Sequence, residues 1–201
     1  MSTAPYLTEQ GKVAGRLMEK YAKDRRLEAD RLNEPVLWAR DSKDAKILVK
    51  SFMMDDHFKI DFLSDVTAYD NQDGEDGEKR FILVYQLYSL EKHIRIRIKA
   101  PVDLNESAET ITDIIPAANW LEREIFDLYG INFNGHPNMR RIMMDERFEG
   151  HPLRKEYPIK QRMGFNDNVH FHLGGHALHV DNTLLEDGSP ANTQALPEGE
   201  K

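Results

Sequence analysis

Apolar positions along this chain switch between helical and strand spacing, and the switches divide it into elements. Val13, Leu17 and Tyr21 recur four residues apart, which predicts a helix over 8–32. Pro35 ends it, and the apolar run 36–39 reads as a short strand. Ser42 is placed to cap a second helix whose buried stripe is Ala45, Leu48, Val49 and Phe52. Residues 62–69 predict a strand, and 71–78, with two glycines and four acids, a hairpin loop. In 80–90 both alternating faces are apolar: Phe81, Leu83, Tyr85 and Leu87 on one, Ile82, Val84 and Tyr88 on the other. That suits a central strand covered on both sides. After a tight turn at Glu91 and Lys92, Ile94, Ile96 and Ile98 alternate strictly with Arg95, Arg97 and Lys99, the period of a strand with one wet face. A polar stretch, 103–112, leads past Pro116 to a helix over 117–129. Its stripe is Leu121, Ile125 and Leu128, and Gly130 stands where a helix-ending glycine is needed.

The order helix, strand, helix, strand meander, helix defines an α+β domain with a mostly antiparallel sheet and packed helices. Periodicity fades beyond Ile131. The expected division is an N-terminal helical extension (1–34), the α+β domain (35–133), an extended irregular basic docking arm (134–162) and a polar tail (163–201). The tail, rich in Gly, Asn, His and acids, buries too little apolar surface to order alone and is expected to be disordered or laid on a partner. Gly-His-Pro at 135–137 and again at 150–152 is a repeated turn, not a repeated domain.

Composition removes whole classes of function. The net charge of −8 argues against nucleic acid as a partner, because phosphate contacts need a basic footprint. No run approaches the roughly 18 apolar residues of a membrane span, and the first eleven residues do not read as a secretory signal. With no cysteine there is no disulfide, thiolate nucleophile or Cys-type zinc site, and no ordinary iron–sulfur ligation. Glycine-rich nucleotide loops and a nucleophile elbow are also missing from the sequence.

Three groups of residues remain as candidates for chemistry. Glu122, Arg123, Glu124 and Asp127 fall within six helical positions. They read either as an acid–base set or as a solvated face with local ion pairs. The flanking Trp120, Phe126 and Tyr129 suggest that both faces of this helix are covered, which calls for partners such as Arg140, Arg141, Arg154 and Lys155. From His136 to Arg162, seven Lys and Arg stand against four acids, and donors so dense in irregular backbone are expected to need acceptors on another chain. In each Gly-His-Pro turn the proline restricts the preceding residue, so His136 and His151 are expected to serve as docking corners across an interface. His170, His172, His176 and His179 have H-x-H and H-x-x-H spacings that suit a divalent metal, and a freestanding His-dependent metal hydrolase is the enzyme reading they allow. The reading taken is no catalytic, cofactor-binding or metal residue in this chain.

Glu122-Arg123-Glu124-x-x-Asp127-Leu128-Tyr129-Gly130-Ile131-x-Phe133-x-Gly135-His136-Pro137, then Arg140-Arg141-Ile142 and Gly150-His151-Pro152-Leu153-Arg154-Lys155-x-Tyr157-Pro158, resembles the signature of the C-subunit family of proton-pumping NADH–quinone oxidoreductase, respiratory complex I. The stretches 61–68 and 84–90 are similar to that family as well, so the resemblance covers about 36–159. It implies a peripheral-arm subunit without a redox centre, seated against the quinone-site subunit and the terminal-cluster subunit and reaching the membrane arm only indirectly. FMN and the iron–sulfur clusters would lie in those partners, with NADH and quinone as substrates of the whole complex. The implied location is the cytoplasmic face of the bacterial inner membrane. The implied interface set is Glu122, Arg123, Glu124, Asp127, Tyr129, Gly130, His136, Pro137, Arg140, Arg141, His151, Pro152, Arg154, Lys155 and Tyr157. A related membrane-bound hydrogenase uses the same fold module, which leaves an equivalent subunit of such a complex as the alternative.

Overall fold

The structure, a computed structural model, describes residues 13–158 except 14, 15, 18, 23, 33 and 73–78, together with two short strands, His170–Leu173 and His176–His179. Five strands form one sheet in the order β1-β2-β5-β4-β3: β1 Leu27–Ala29, β2 Pro35–Trp38, β3 Phe62–Asp70, β4 Phe81–Ser89 and β5 Ile94–Val102. Every neighbouring pair is antiparallel except β2 with β5, where Val36, Leu37 and Trp38 run alongside Arg97, Ile98 and Lys99. This is the expected α+β class with a mostly antiparallel sheet.

The N-terminal helix is shorter than the spacing predicts. Described residues are helical only as far as Lys20, and Ala22 closes the end by donating to the carbonyl of Leu17 at 3.0 Å. Leu-Glu-Ala at 27–29 has good helix propensity, but pairing with the edge of β2 overrides it. Val13 and Leu17 are buried in the same core as the sheet, and Tyr21 packs edge-on against Phe52 with ring centroids 4.8 Å apart.

Helix α1, Ser42–Met54, buries Ala45, Leu48, Val49 and Phe52 as predicted. Its cap is Asp41 rather than Ser42: the Asp41 carboxylate accepts the Asp44 N–H at 2.7 Å, while Ser42 is buried and receives the backbone N–H of Glu109 at 3.3 Å. Helix α2, Ala118–Tyr129, is bracketed by two short parallel strands, β6 Ala108–Glu109 and β7 Phe133–Asn134, which tie the chain entering the helix to the chain leaving it.

Both helices contribute to one core with Leu83, Tyr85, Leu87, Ile96 and Ile98. On the opposite face of the sheet, Ile82 and Val84 are buried under Trp38 and Tyr69, and Lys99 lies over both rings at 4.7 and 5.4 Å. The double coverage expected of β4 is present, supplied on that face by side chains of the sheet itself. The expected hairpin loop lies mostly outside the described residues, although Asn71 and Arg80 close its base.

The chain divides into two compact units, Met1–Ile159 and Lys160–Lys201. Within the second, where no structure of its own is expected, β8 (His170–Leu173) pairs antiparallel with β9 (His176–His179). Among the described residues no helix is long and apolar enough to cross a membrane.

Candidate interaction site

Two of the signature acids on α2 are fully buried, and they are bound in opposite ways. Glu122 Oε1 accepts the backbone N–H of Ile111 at 2.8 Å, and Oε2 accepts the Thr110 hydroxyl at 2.6 Å. Among the described residues no cation is in hydrogen-bonding contact with it. Burial therefore dominates and pushes its pKa up to about 7, against the smaller opposing pull of those two donors and of Lys46. The hydroxyl of Tyr85, also fully buried and within the electrostatic reach of Glu122, has no hydrogen-bond partner among the described residues.

Asp127 is a built anion site. Burial alone would raise its pKa. The backbone N–H groups of Met144, Met143 and Ile142, at 2.8, 2.7 and 3.0 Å, outweigh that with help from the Arg141 guanidinium at 3.1 Å, and hold the pKa below the ordinary value. Three successive amides aimed at one carboxylate fix the irregular segment 141–144 against the helix. A solvated helix face is thus the wrong description for these two residues and the right one only for Glu124, which is exposed.

The basic arm closes the C-terminal end of α2. A helix leaves its last carbonyls without intrahelical donors, and here the arm supplies them. The Asp127 carbonyl accepts from His151 Nδ1 at 2.9 Å, Leu128 from the N–H of Leu153 at 3.1 Å, and Tyr129 from Arg154 Nε at 2.6 Å. The Arg154 charge also sits at the negative end of the helix dipole. Gly130 makes this closure possible: at φ +76° it is left-handed, and a Cβ there would lie 2.5 Å from His151 Nε2 and closer still to the Arg154 guanidinium. Burial lowers the pKa of both His151 and Arg154.

A second clamp ties the arm to the sheet. Asp70, at the end of β3, accepts Arg80 through both carboxylate oxygens (3.3 and 3.0 Å) and the N–H of Lys155 at 2.9 Å. Arg80 also pairs with Glu156. Arg80 and Arg154 lie over the Phe81 ring at 5.2 and 5.6 Å, and Tyr129 meets that ring edge-on. Tyr157 stacks on Phe148 with centroids 5.7 Å apart.

The expectation that the arm's donors need another chain is therefore corrected for several of them, while Lys160 and Arg162 lie outside the described residues. Arg141, Arg154 and the backbone of Lys155 are satisfied within this chain. Arg123 donates to the carbonyls of Arg140 and Arg141 at 3.1 and 3.3 Å. Both docking histidines are engaged within the chain, His136 through both ring nitrogens and His151 through Nδ1. His136 Nε2 donates to the Asn119 carbonyl at 3.2 Å while its Nδ1 accepts the Asn138 N–H, and His151 is used as above. The arm carries its own acceptors in the form of helix-end carbonyls, which composition cannot reveal.

Of the implied interface residues, Glu124, Pro137, Arg140 and Lys155 stay exposed, and Pro152 is half-buried. Trp120, expected to be covered, is 61% exposed and supports Arg123 at 4.9 Å over its ring; Met143 is 58% exposed. Sequence reasoning missed Asp70, Arg80, Thr110 and Tyr85. The first two flank the hairpin loop symmetrically, a usable signal once β3 and β4 are paired; the other two have no local signature. Among the described residues of the first unit, no three His, Asp or Glu side chains are grouped to hold a metal.

These features define a cysteine-free α+β domain whose basic arm is locked by its own acids and helix-end carbonyls. The family described as the 30 kDa subunit of respiratory-chain NADH dehydrogenase matches residues 40–163, and this chain belongs to it. Similar proteins, each named as the C-subunit of NADH-quinone oxidoreductase, include those of Geotalea uraniireducens (39% identical over 155 residues, 77% of this chain and 91% of the relative), Trichlorobacter lovleyi (50% over 103 residues, 51% and 62%) and Methylobacterium radiotolerans (52% over 82 residues, 41% and 38%). The last two matches, and the one to the protein of a Ruegeria species (58% of the relative), span less than two thirds of those proteins.

Proposed function

We propose that this chain is a non-redox structural subunit of the peripheral arm of NADH–quinone oxidoreductase. It supports electron transfer from NADH through FMN and iron–sulfur clusters, held by other subunits, to quinone, and this transfer is coupled to proton translocation. Family membership carries the reading, and the absence of cysteine from all 201 residues agrees with a subunit that holds no cluster. The names of the similar proteins favour NADH over a hydrogenase-type donor.

The isolated chain is inactive in this reading and sits peripherally at the cytoplasmic face of the bacterial inner membrane, attached through its neighbours. The signature residues divide into two roles. Glu122, Asp127, Gly130, Arg141, His151 and Arg154 shape the arm from within. Trp120, Arg140 and Met143, turned outward, contact the quinone-site and terminal-cluster subunits. A solvent-facing tryptophan with an arginine over its ring is the kind of anchor that dominates interfaces.

The test is a deletion strain complemented with Trp120→Ala/Arg140→Glu. Both side chains are exposed, so the purified variant should melt like the wild type. Losing the anchor should cost about 2 kcal/mol or more of binding, so that assembled complex on native gels and NADH–quinone reductase activity fall together. Normal assembly with collapsed turnover would refute the structural role.

A further inference from the structure

Helix α1 presents two unlike faces. Positions on an α-helix advance by about 100° each, which sets Ala45, Leu48, Val49 and Phe52 on one side, where they are buried in the core. The opposite side carries Lys43, Ile47, Lys50 and Met54, all exposed, Ile47 to 59% and Met54 to 72%. These four fall within about 60° of arc and spread over about 16 Å of helix. Their intervals of four, three and four residues are those by which one helix meets another along a seam. Single exposed apolar residues are ordinary on a protein surface; here two of them alternate with two cations in one straight row.

The row is also free of acid. Asp44 is the one acid between Ser42 and Met54, and it is buried and held by Arg25 at 2.6 Å and Arg40 at 2.9 Å. Lys46, beside the row, is paired with Asp113 at 2.9 Å. Lys43 and Lys50 make no hydrogen bond or ion pair among the described residues, although Asp113 lies within electrostatic reach of Lys50. This cationic row stands in a chain of net charge −8.

We propose that the outer face of α1 is a docking surface for an acidic amphipathic helix of a partner protein. That helix sets carboxylates seven residues apart against Lys43 and Lys50, and apolar side chains against Ile47 and Met54. Charge complementarity selects the occupant. A second copy of α1 offers only lysines to these lysines. A lipid surface takes up a helix by a broad apolar face, and the broad apolar face of α1 is already buried in the core. The row lies on a different element from Trp120, Arg140 and Met143, and it stands whichever complex the chain serves.

The test places a photo-reactive residue at position 47 of the full chain, expressed in the deletion strain, and identifies the cross-linked peptides by mass spectrometry. The expected product joins position 47 to one helical segment of another protein that carries Asp or Glu seven positions apart. Lys43→Glu/Lys50→Glu should lower the yield by at least about tenfold, the scale of coupled charge pairs across an interface. Lys43→Arg/Lys50→Arg should retain it, and reversing the two partner carboxylates to Lys should restore cross-linking to the Glu variant. Both variants should melt like the wild type, because the replaced side chains are exposed. No cross-link, cross-links only to lipid or to a second copy, a segment without paired acids, or a yield indifferent to charge reversal would overturn the proposal. Reductase activity is not the readout, so an error in the assigned complex would change which protein is joined and not the chemistry of the joined segment.

Discussion

Replacing Glu122 by Gln removes one titrating group from the core while keeping its shape. The carboxamide oxygen can still accept the Ile111 N–H, and its NH2 can donate to the Thr110 hydroxyl oxygen, which already interacts with Thr112 at 2.8 Å. Burial raises the Glu122 pKa from 4.5 to about 7, so the folded state binds this proton more tightly than the unfolded chain. The stabilisation from that proton is complete below about 4.5 and is lost as pH rises through about 7. At about 1.4 kcal/mol per unit of pKa difference, the wild type should lose roughly 2 kcal/mol from this group between about pH 5.5 and about pH 8.5.

Other groups titrate in the same window. His151, whose pKa burial lowers, contributes in the opposite sense. The informative quantity is therefore the difference between wild type and Glu122→Gln, measured by urea unfolding at each pH. Relative to wild type, the Gln variant should gain stability steadily on going from acid to alkaline buffer. The nearby Lys46–Asp113 pair is unchanged in both proteins and cancels. A difference that stays flat within about 0.5 kcal/mol, or one that slopes the other way, would mean that the carboxyl is not a buried proton-binding group.

Asp127→Ala strips the acceptor from three backbone amides and from Arg141 together, and should cost roughly 3–5 kcal/mol; hydrogen exchange should accelerate in 141–158 while β4 and β5 stay protected, and a loss below about 1 kcal/mol would refute the anchoring role. Gly130→Ala forces an L side chain into a left-handed position, about 1–2 kcal/mol by itself, and presses a methyl group on His151 and Arg154, so thermal unfolding should show a larger loss than the backbone term alone.

Local chemistry determined most of the elements. Period-two alternation along β5, the two-sided apolar run of β4 and the spacing of the α1 stripe report which faces are covered. On α2, by contrast, only Ile125 of the predicted stripe is fully buried, Leu121 being half-buried against the core and Leu128 outside it. Those patterns arise from backbone geometry that needs no distant partner. Gly130 was legible for the same reason, since a helix end needs a left-handed residue and few others tolerate it. The signature at Glu122–Tyr157 was legible as a family resemblance, but not in its physical roles.

Tertiary structure decided those roles. Leu27–Ala29 is a strand because β2 offers an unpaired edge to it, a contact set by the fold and not by the residues' own propensities. Glu122 and Asp127, five positions apart on one helix, differ because one faces Thr110 and Ile111 while the other faces three arm amides and a guanidinium. Burial and partner geometry set a carboxyl's proton affinity, and both come from segments remote in sequence. The arm's cations likewise found acceptors in helix-end carbonyls, which every helix has and no composition records.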